Sequence, residues 1–201
     1  MYIEQMEILD KGKRKLLFEH GVELLLYQGE IKKYDLREQT EISEELYLEL
    51  LYGIVGKRAK KRAMHLLERQ DRTEYQLQEK LRQNGYPAEV IEEALAYVKT
   101  YHYIDDLRYA CNYVRAGKEK KSRQRLCQDL MKKGVKRQII EQALDEEGNE
   151  DETAAICDLL EKKGYRKDLP KNEIHKIYQF LLRRGYQSSD ILRAMRAEYL
   201  T

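Results

Sequence analysis

The residues most suggestive of chemistry are cations gathered at a helix start, in Ser122-Arg-Gln-Arg-Leu-Cys-Gln-Asp-Leu-Met-Lys-Lys-Gly134. Serine suits the cap position, where its oxygen accepts a free backbone N–H. The turn that follows holds Arg123 and Arg125. Aligned peptide dipoles make a helix start electropositive, so each such cation costs about 0.3–1 kcal/mol at an exposed site. Sequences break local rules of this kind most often at functional positions. A helix start reinforced by guanidinium groups is a receptor for phosphate or carboxylate oxygens. Helical periodicity places Arg125, Gln128 and Lys132 on one face, opposite Leu126 and Leu130. The candidate binding set is therefore Lys118, Lys120, Lys121, Arg123, Arg125, Gln128, Lys132 and Lys133. The competing reading is a solvated helix whose cations meet the acidic segment that follows.

Other chemistry finds little support. Asp105 and Asp106 stand side by side, but the first suits a helix cap and the second a helix first turn. His20, His65, His102 and His175 are scattered, with no metal-ligand spacing. No glycine-rich phosphate loop, HExxH or GxSxG is present. A non-enzymatic protein without cofactor or metal is expected. Cys111, Cys127 and Cys157 are odd in number and far apart, which predicts small buried thiols in a reducing compartment. The sixteen tyrosines include Tyr86, Tyr103, Tyr109, Tyr113, Tyr165 and Tyr186 at expected module joints. There a ring can be buried while its hydroxyl stays wet.

The 38 basic and 36 acidic residues nearly cancel, so distribution matters more than the net charge of +2. Between Arg108 and Arg137 eleven bases face two acids, a local net of +9, whereas Asp145 to Glu152 holds six acids and no base. A concentrated basic segment suits a polyanionic partner. The chain shows no export leader and no apolar run near membrane-spanning length, so a cytoplasmic protein without membrane contact is expected.

The elements that must position these residues repeat. Leu81 to Leu95, Leu130 to Leu144 and Leu181 to Met195 each contain a helix-ending glycine at Gly85, Gly134 or Gly185. Apolar residues recur four before and six, nine and ten after each glycine, whose spacings are 49 and 51 residues. Such periods mark a helical repeat array, which offers a long surface rather than one cleft. In the first module Ala63, Leu66 and Leu67 mark one helix, and Thr73 with Gln76 forms a capping box for the next. Gly85 ends that second helix, and Val90, Ile91, Ala94, Leu95 and Val98 give the third its buried face. Upstream, Tyr2 to Leu9 and Lys15 to Phe18 flank a turn at Asp10 to Lys13, while Leu24 to Tyr27 forms a third strand or a short helix. Ser43 opens a helix that Gly53 and Gly56 are expected to bend or break. The fold class expected is mainly α: an elongated array of three tandem three-helix modules with a small β-containing N-terminal element. Its parts are residues 1–42 for that element, 43–57 for a connecting helix, and 58–100, 101–148 and 149–201 for the modules.

Four stretches together resemble the RecX family, regulators of the bacterial recombinase RecA. They are Arg72 to Tyr86, Tyr103 to Ala110, Lys121 to Leu126 leading to Lys132 to Val135, and Tyr178 to Tyr186. The similarity runs from about residue 58 to 199. It implies a curved array of three-helix modules and a partner in the RecA–DNA filament, with single- or double-stranded DNA as a further partner. It also implies inhibition of recombinase ATP hydrolysis, strand exchange and filament growth, within DNA repair, recombination and the SOS response. A monomer is expected. A plain DNA-binding protein without sequence preference and a scaffold for another protein are the alternatives. The cations are left to meet either DNA phosphates or recombinase carboxylates.

Overall fold

A computed structural model describes residues 1–9, 12–148 and 152–197. The expected turn at Asp10 and Lys11 and positions 149–151 of the acidic run lie outside the described residues, as do positions 198–201. The chain divides into two compact units, one up to Asp105 and one from Asp106 onward.

The first unit begins with an antiparallel sheet of β1 (Tyr2–Ile8), β2 (Lys13–Phe18), β3 (Glu23–Tyr27) and β4 (Thr40–Glu41). Its order is β3-β2-β1-β4, with Leu16 opposite Leu24 and Ile3 opposite Phe18. Residues two apart share a face, so Leu16 and Phe18, Leu24 and Leu26, and Ile3 are fully buried together. Of the two readings for residues 24–27, strand is the observed one. A short α1 (Gln28–Lys33) follows it.

Ser43 caps α2 (Glu44–Leu48), its hydroxyl accepting from Leu46 N at 3.2 Å. The expected break at Gly53 and Gly56 does not occur. A π-helical stretch, Glu49–Gly56, carries the helix directly into α3 (Lys57–Arg69), with helical dihedrals at Gly56. The wider turn takes up the register and buries Leu50, Leu51 and Val55. Next come α4 (Glu74–Gln83) and α5 (Ala88–Thr100). The capping box forms as its residues dictate: Gln76 N donates to Thr73 Oγ1 at 3.2 Å, and Thr73 N donates to Gln76 Oε1 at 3.3 Å. Gly85, at φ 79°, supplies the left-handed turn between these helices. Sheet and helices share one apolar core running from Ile3 to Ile104.

The second unit holds α6 (Asp106–Gly117), α7 (Arg123–Lys132) and α8 (Arg137–Glu147), then α9 (Thr153–Lys162), α10 (Lys171–Arg183) and α11 (Ser188–Ala197). Each helix triplet has its own core. Val114, Leu126, Leu130 and Ile140 centre the first, and Ile156, Leu160, Leu181 and Ile191 the second. Gly134 and Gly185 adopt φ values of 81° and 90° at the position Gly85 fills upstream. The molecule is thus mainly α, with three tandem three-helix modules and a small antiparallel sheet.

Two expectations about side chains need correction. Only Cys111 is buried; Cys127 and Cys157 are partly exposed, and all three thiols are free. They lie toward the rims of their helix faces, where a small residue fits without being enclosed. Nor does every joint tyrosine keep a wet hydroxyl. Tyr186 is 2% exposed and its hydroxyl has no hydrogen-bond partner, whereas Tyr103 is exposed ring and all.

Candidate functional site

The start of α7 is built as its sequence requires. Ser122 is fully buried, and its hydroxyl accepts from Arg125 N at 3.1 Å. The anion-receptor chemistry expected there is met from within the chain: Glu152 Oε1 accepts the backbone N–H of Arg123. The Arg123 guanidinium donates to the Leu144 carbonyl at 2.8 Å and pairs with Asp145. The last module adds further bonds. Arg184 O accepts from Ser122 N at 3.1 Å, and the Arg184 side chain donates to Lys120 O. A Cβ on Gly185 would stand 2.5 Å from Ser122 Oγ and 2.8 Å from Arg125 Cβ. This helix start is therefore an internal joint between the two helix triplets of the second unit.

The electrostatics follow from this enclosure. Burial pushes the Glu152 carboxyl up, against the pull of the Arg123 amide, and Asp190 adds to the rise. Burial likewise lifts the Tyr186 phenol to about 12, with the nearby Glu152 carboxylate contributing.

A second group of cations gathers around Asp129. Lys121 Nζ lies 2.7 Å from its carboxylate and 2.9 Å from the Tyr113 hydroxyl, which itself donates to Asp129 at 3.1 Å. Arg125 Nε approaches the other carboxylate oxygen at 3.3 Å. Burial alone would raise the Asp129 carboxyl, but hydrogen bonds from Lys121 and Tyr113 hold it below its usual range. Lys133 lies over the Tyr113 and Tyr109 rings, 5.3 and 6.0 Å from their centroids. Lys118 is half-buried and lines a small cleft with Lys121 and Leu126.

Of the face expected to point outward, Gln128 and Lys132 are exposed opposite buried Leu126 and Leu130, while Arg125 is half-buried against Asp129. Lys120 is exposed beside them on the preceding turn. Of the eight candidate residues, the structure thus ties Lys121, Arg123 and Arg125 into ion pairs and stacks Lys133 on tyrosine. It leaves Lys120, Gln128 and Lys132 facing solvent.

One basic helix escaped the charge count. Lys57, Arg58, Lys60, Lys61 and Arg62 put five bases into six consecutive residues at the start of α3. Arg58 pairs with Glu30 at 2.8 Å and Lys60 with Glu93 at 2.7 Å, whereas Lys57 and Lys61 are exposed. The run was readable in the sequence, since residues 57–69 hold six bases against Glu68 alone; only across the whole module, residues 58–100, do seven acids nearly cancel nine bases. Among the described residues, no His, Cys, Asp and Glu group could hold a metal ion. No helix among them is long and apolar enough to cross a membrane.

Comparison with known proteins agrees with this architecture. Residues 59–97 match the family description "RecX, first three-helix domain", residues 105–144 the second such domain and residues 150–195 the third. The chain is 34% identical over 162 residues to "Regulatory protein RecX" of Caldanaerobacter subterraneus subsp. tengcongensis, covering 80% of each chain. It is 29% identical over 170 residues to the protein of that name in Geobacillus kaustophilus, covering 83% of this chain but 63% of that longer relative. A solved structure described as regulatory protein RecX aligns with a TM-score of 0.61 at 25% identity, over 94% of this chain and 96% of that one. RecX from Lactobacillus salivarius aligns at 0.63 and 26% identity, over 73% of this chain and 98% of that one.

Proposed function

The chain belongs to the RecX family of regulatory proteins, and from that premise we propose that it modulates the RecA recombinase by seating on the RecA–DNA filament. The observation that carries this reading is the match to all three family domains, in order, along one chain. In this reading the protein acts in the cytoplasm as a monomer and works by occupancy, without bond-making. Tandem modules engage neighbouring sites of a repetitive polymer together, so several weak contacts sum to slow dissociation if the spacing fits. A chain held there obstructs the motions that couple ATP turnover to strand exchange and to filament growth.

Gln128 and Lys132 on the outer face of α7, with Lys120 on the turn before it, are the contacts assigned to the filament. Lys118, Lys121, Arg125 and Lys133 border that face, and Arg123 supports it through the joint. The test adds purified protein to RecA, single-stranded DNA and ATP. Hydrolysis and strand exchange should fall as the protein is titrated; unchanged rates at saturation count against the reading.

A second reading is DNA binding without recombinase and without sequence preference, favoured by the exposed Lys57 and Lys61 on α3. It predicts binding to naked DNA that weakens steeply with salt.

A further inference from the structure

A cavity of about 460 Å³ opens in the first unit, between the β2–β3 edge, α3 and the turn joining α4 to α5. Lys13, Tyr27, Arg58, Arg62, Asn84 and Tyr86 are among its walls, and no acidic residue among the described ones lines it. Its volume lies within the range typical of small-molecule sites.

The wall is fixed from behind. Arg58 donates to the Leu25 carbonyl at 3.0 Å, and one terminal nitrogen reaches both Glu30 carboxylate oxygens at 2.9 and 2.8 Å. Its guanidinium also lies 4.6 Å from the centroid of the Tyr27 ring. Glu30 is thereby committed: it holds Arg58 and also accepts Tyr27 N at 2.7 Å. Arg62 Nε donates to Asn84 Oδ1 at 2.9 Å. That bond orients both side chains and leaves the terminal nitrogens of Arg62 and the amide nitrogen of Asn84 as donors. Neither these nor Lys13 Nζ has an acceptor among the described residues. Burial pushes the Tyr86 phenol up, while Arg58 and Arg62 pull it down, as expected for guanidinium groups close to that ring.

The result is a partly enclosed space where donors from three elements converge and no anion among the described residues meets Lys13 or Arg62. Two unpaired cations with further neutral donors call for a ligand with several acceptor oxygens. A side-chain carboxylate has two oxygens in one plane. A phosphoryl group offers oxygens in a tetrahedral spread, which better suits donors arriving from different walls. The tyrosine rings at 27 and 86 add apolar faces for a sugar or base.

We propose that this cavity binds the phosphate of a nucleotide unit, with Lys13 and Arg62 as its charged contacts and Arg58 as a pre-set wall. The site lies apart from α7 in sequence and does not rest on the filament reading. The phosphate belongs either to a nucleic-acid strand or to a free nucleotide, a chemistry both share.

The test uses the full chain and fluorescence anisotropy with a fluorescein-labelled oligothymidylate, alongside calorimetry with thymidine monophosphate and with inorganic phosphate. Lys13→Ala combined with Arg62→Ala should weaken binding about tenfold or more. It should also flatten the dependence on salt by roughly 0.7 log units for each single-strand phosphate no longer neutralised. Lys13→Arg with Arg62→Lys keeps both charges and should retain most of the affinity, which separates charge from folding. Loss of strand binding alone assigns the phosphate to a strand; loss of monophosphate or phosphate binding assigns it to a free ligand. A double alanine variant that binds every probe like the wild type overturns the proposal, as does a wild type that binds none. Intact strand binding with weakened recombinase inhibition also overturns it, because the donors would then serve a protein carboxylate. Recombinase inhibition by the wild type is read separately, so failure here and failure of the filament reading are distinguishable.

Discussion

The starts of α3 and α7 are both dense in cations, yet the two regions use their charge differently. At α7, Arg123, Arg125 and Lys121 turn inward to Asp145, Asp129 and the carbonyl of Leu144, and Glu152 closes the helix start itself. At α3, Arg58 and Lys60 are paired, but Lys57 and Lys61 reach solvent and Arg62 reaches a cavity that no acid among the described residues lines. A local sum of charges therefore measures how much cation is present, not how much is available. Availability depends on where the acids fold to. The second unit brings its acidic segment back onto its basic one.

The same contrast applies to the repeated glycines and gives the largest expected effect. Gly85 and Gly185 share a left-handed conformation, but a Cβ at Gly85 meets nothing within 4 Å whereas one at Gly185 collides with Ser122 and Arg125. Gly85→Ala should cost about 1–2 kcal/mol, the strain of that conformation. Gly185→Ala should cost about 2–5 kcal/mol, since overpacking adds about 1–3. Urea unfolding of both variants measures the difference, and equal losses would remove the close joint from the account.

Next in size is the difference between paired and unpaired cations. Asp129→Ala deprives Lys121, Tyr113 and Arg125 of their common acceptor and should destabilise by about 1–3 kcal/mol. Replacing Lys57 and Lys61 together by alanine should stay within about 0.5 kcal/mol per site in the same urea series. Similar values for the two regions would break the comparison.

The smallest effects are in pH dependence, where two carboxyls of the second unit should act with opposite sign. Asp129 is held below its ordinary range, so its contribution is present above the unfolded value, about 3.9, and is lost as pH falls through its lower folded value. Asp129→Asn should flatten that acid limb. Glu152 is raised by burial, so it favours folding while protonated and that gain is lost as pH climbs from about 4.3 through its higher folded value. Glu152→Gln keeps an oxygen for the Arg123 amide and should become more stable than wild type toward neutral pH. Unfolding midpoints across pH 3 to 7 read both slopes, and parallel curves for wild type and variants would contradict the assignments.

Much of the fold was legible because its signals are local. The Thr73 and Gln76 pair, the three left-handed glycines and the apolar spacing in each triplet depend on neighbours within one turn, and all appear as read. The continuous helix across Gly53 and Gly56 was not legible, because burial of Leu50, Leu51 and Val55 against distant residues overrides the glycines' local preference. At the candidate site, the outward face of Gln128 and Lys132 followed from periodicity. Periodicity does not pick out the partners of Arg123, Asp145 and Glu152, from 22 and 29 residues away, but they belong to the acidic segment that the competing reading named. The cavity around Lys13, Arg62 and Asn84 gathers residues from a strand, a helix and a turn, which no spacing rule joins.

The central claim, that the exposed face of α7 helps this RecX protein restrain a recombinase filament, is most directly tested by DNA-dependent ATP hydrolysis. RecA on single-stranded DNA should be titrated with the wild type and with a variant carrying Lys120→Ala, Gln128→Ala and Lys132→Ala, which spares every ion pair described. The account predicts that the wild type slows hydrolysis and that the variant, equally stable, needs about tenfold more protein for the same effect, roughly 1.4 kcal/mol of lost binding. Superimposable titrations of the two proteins would contradict it.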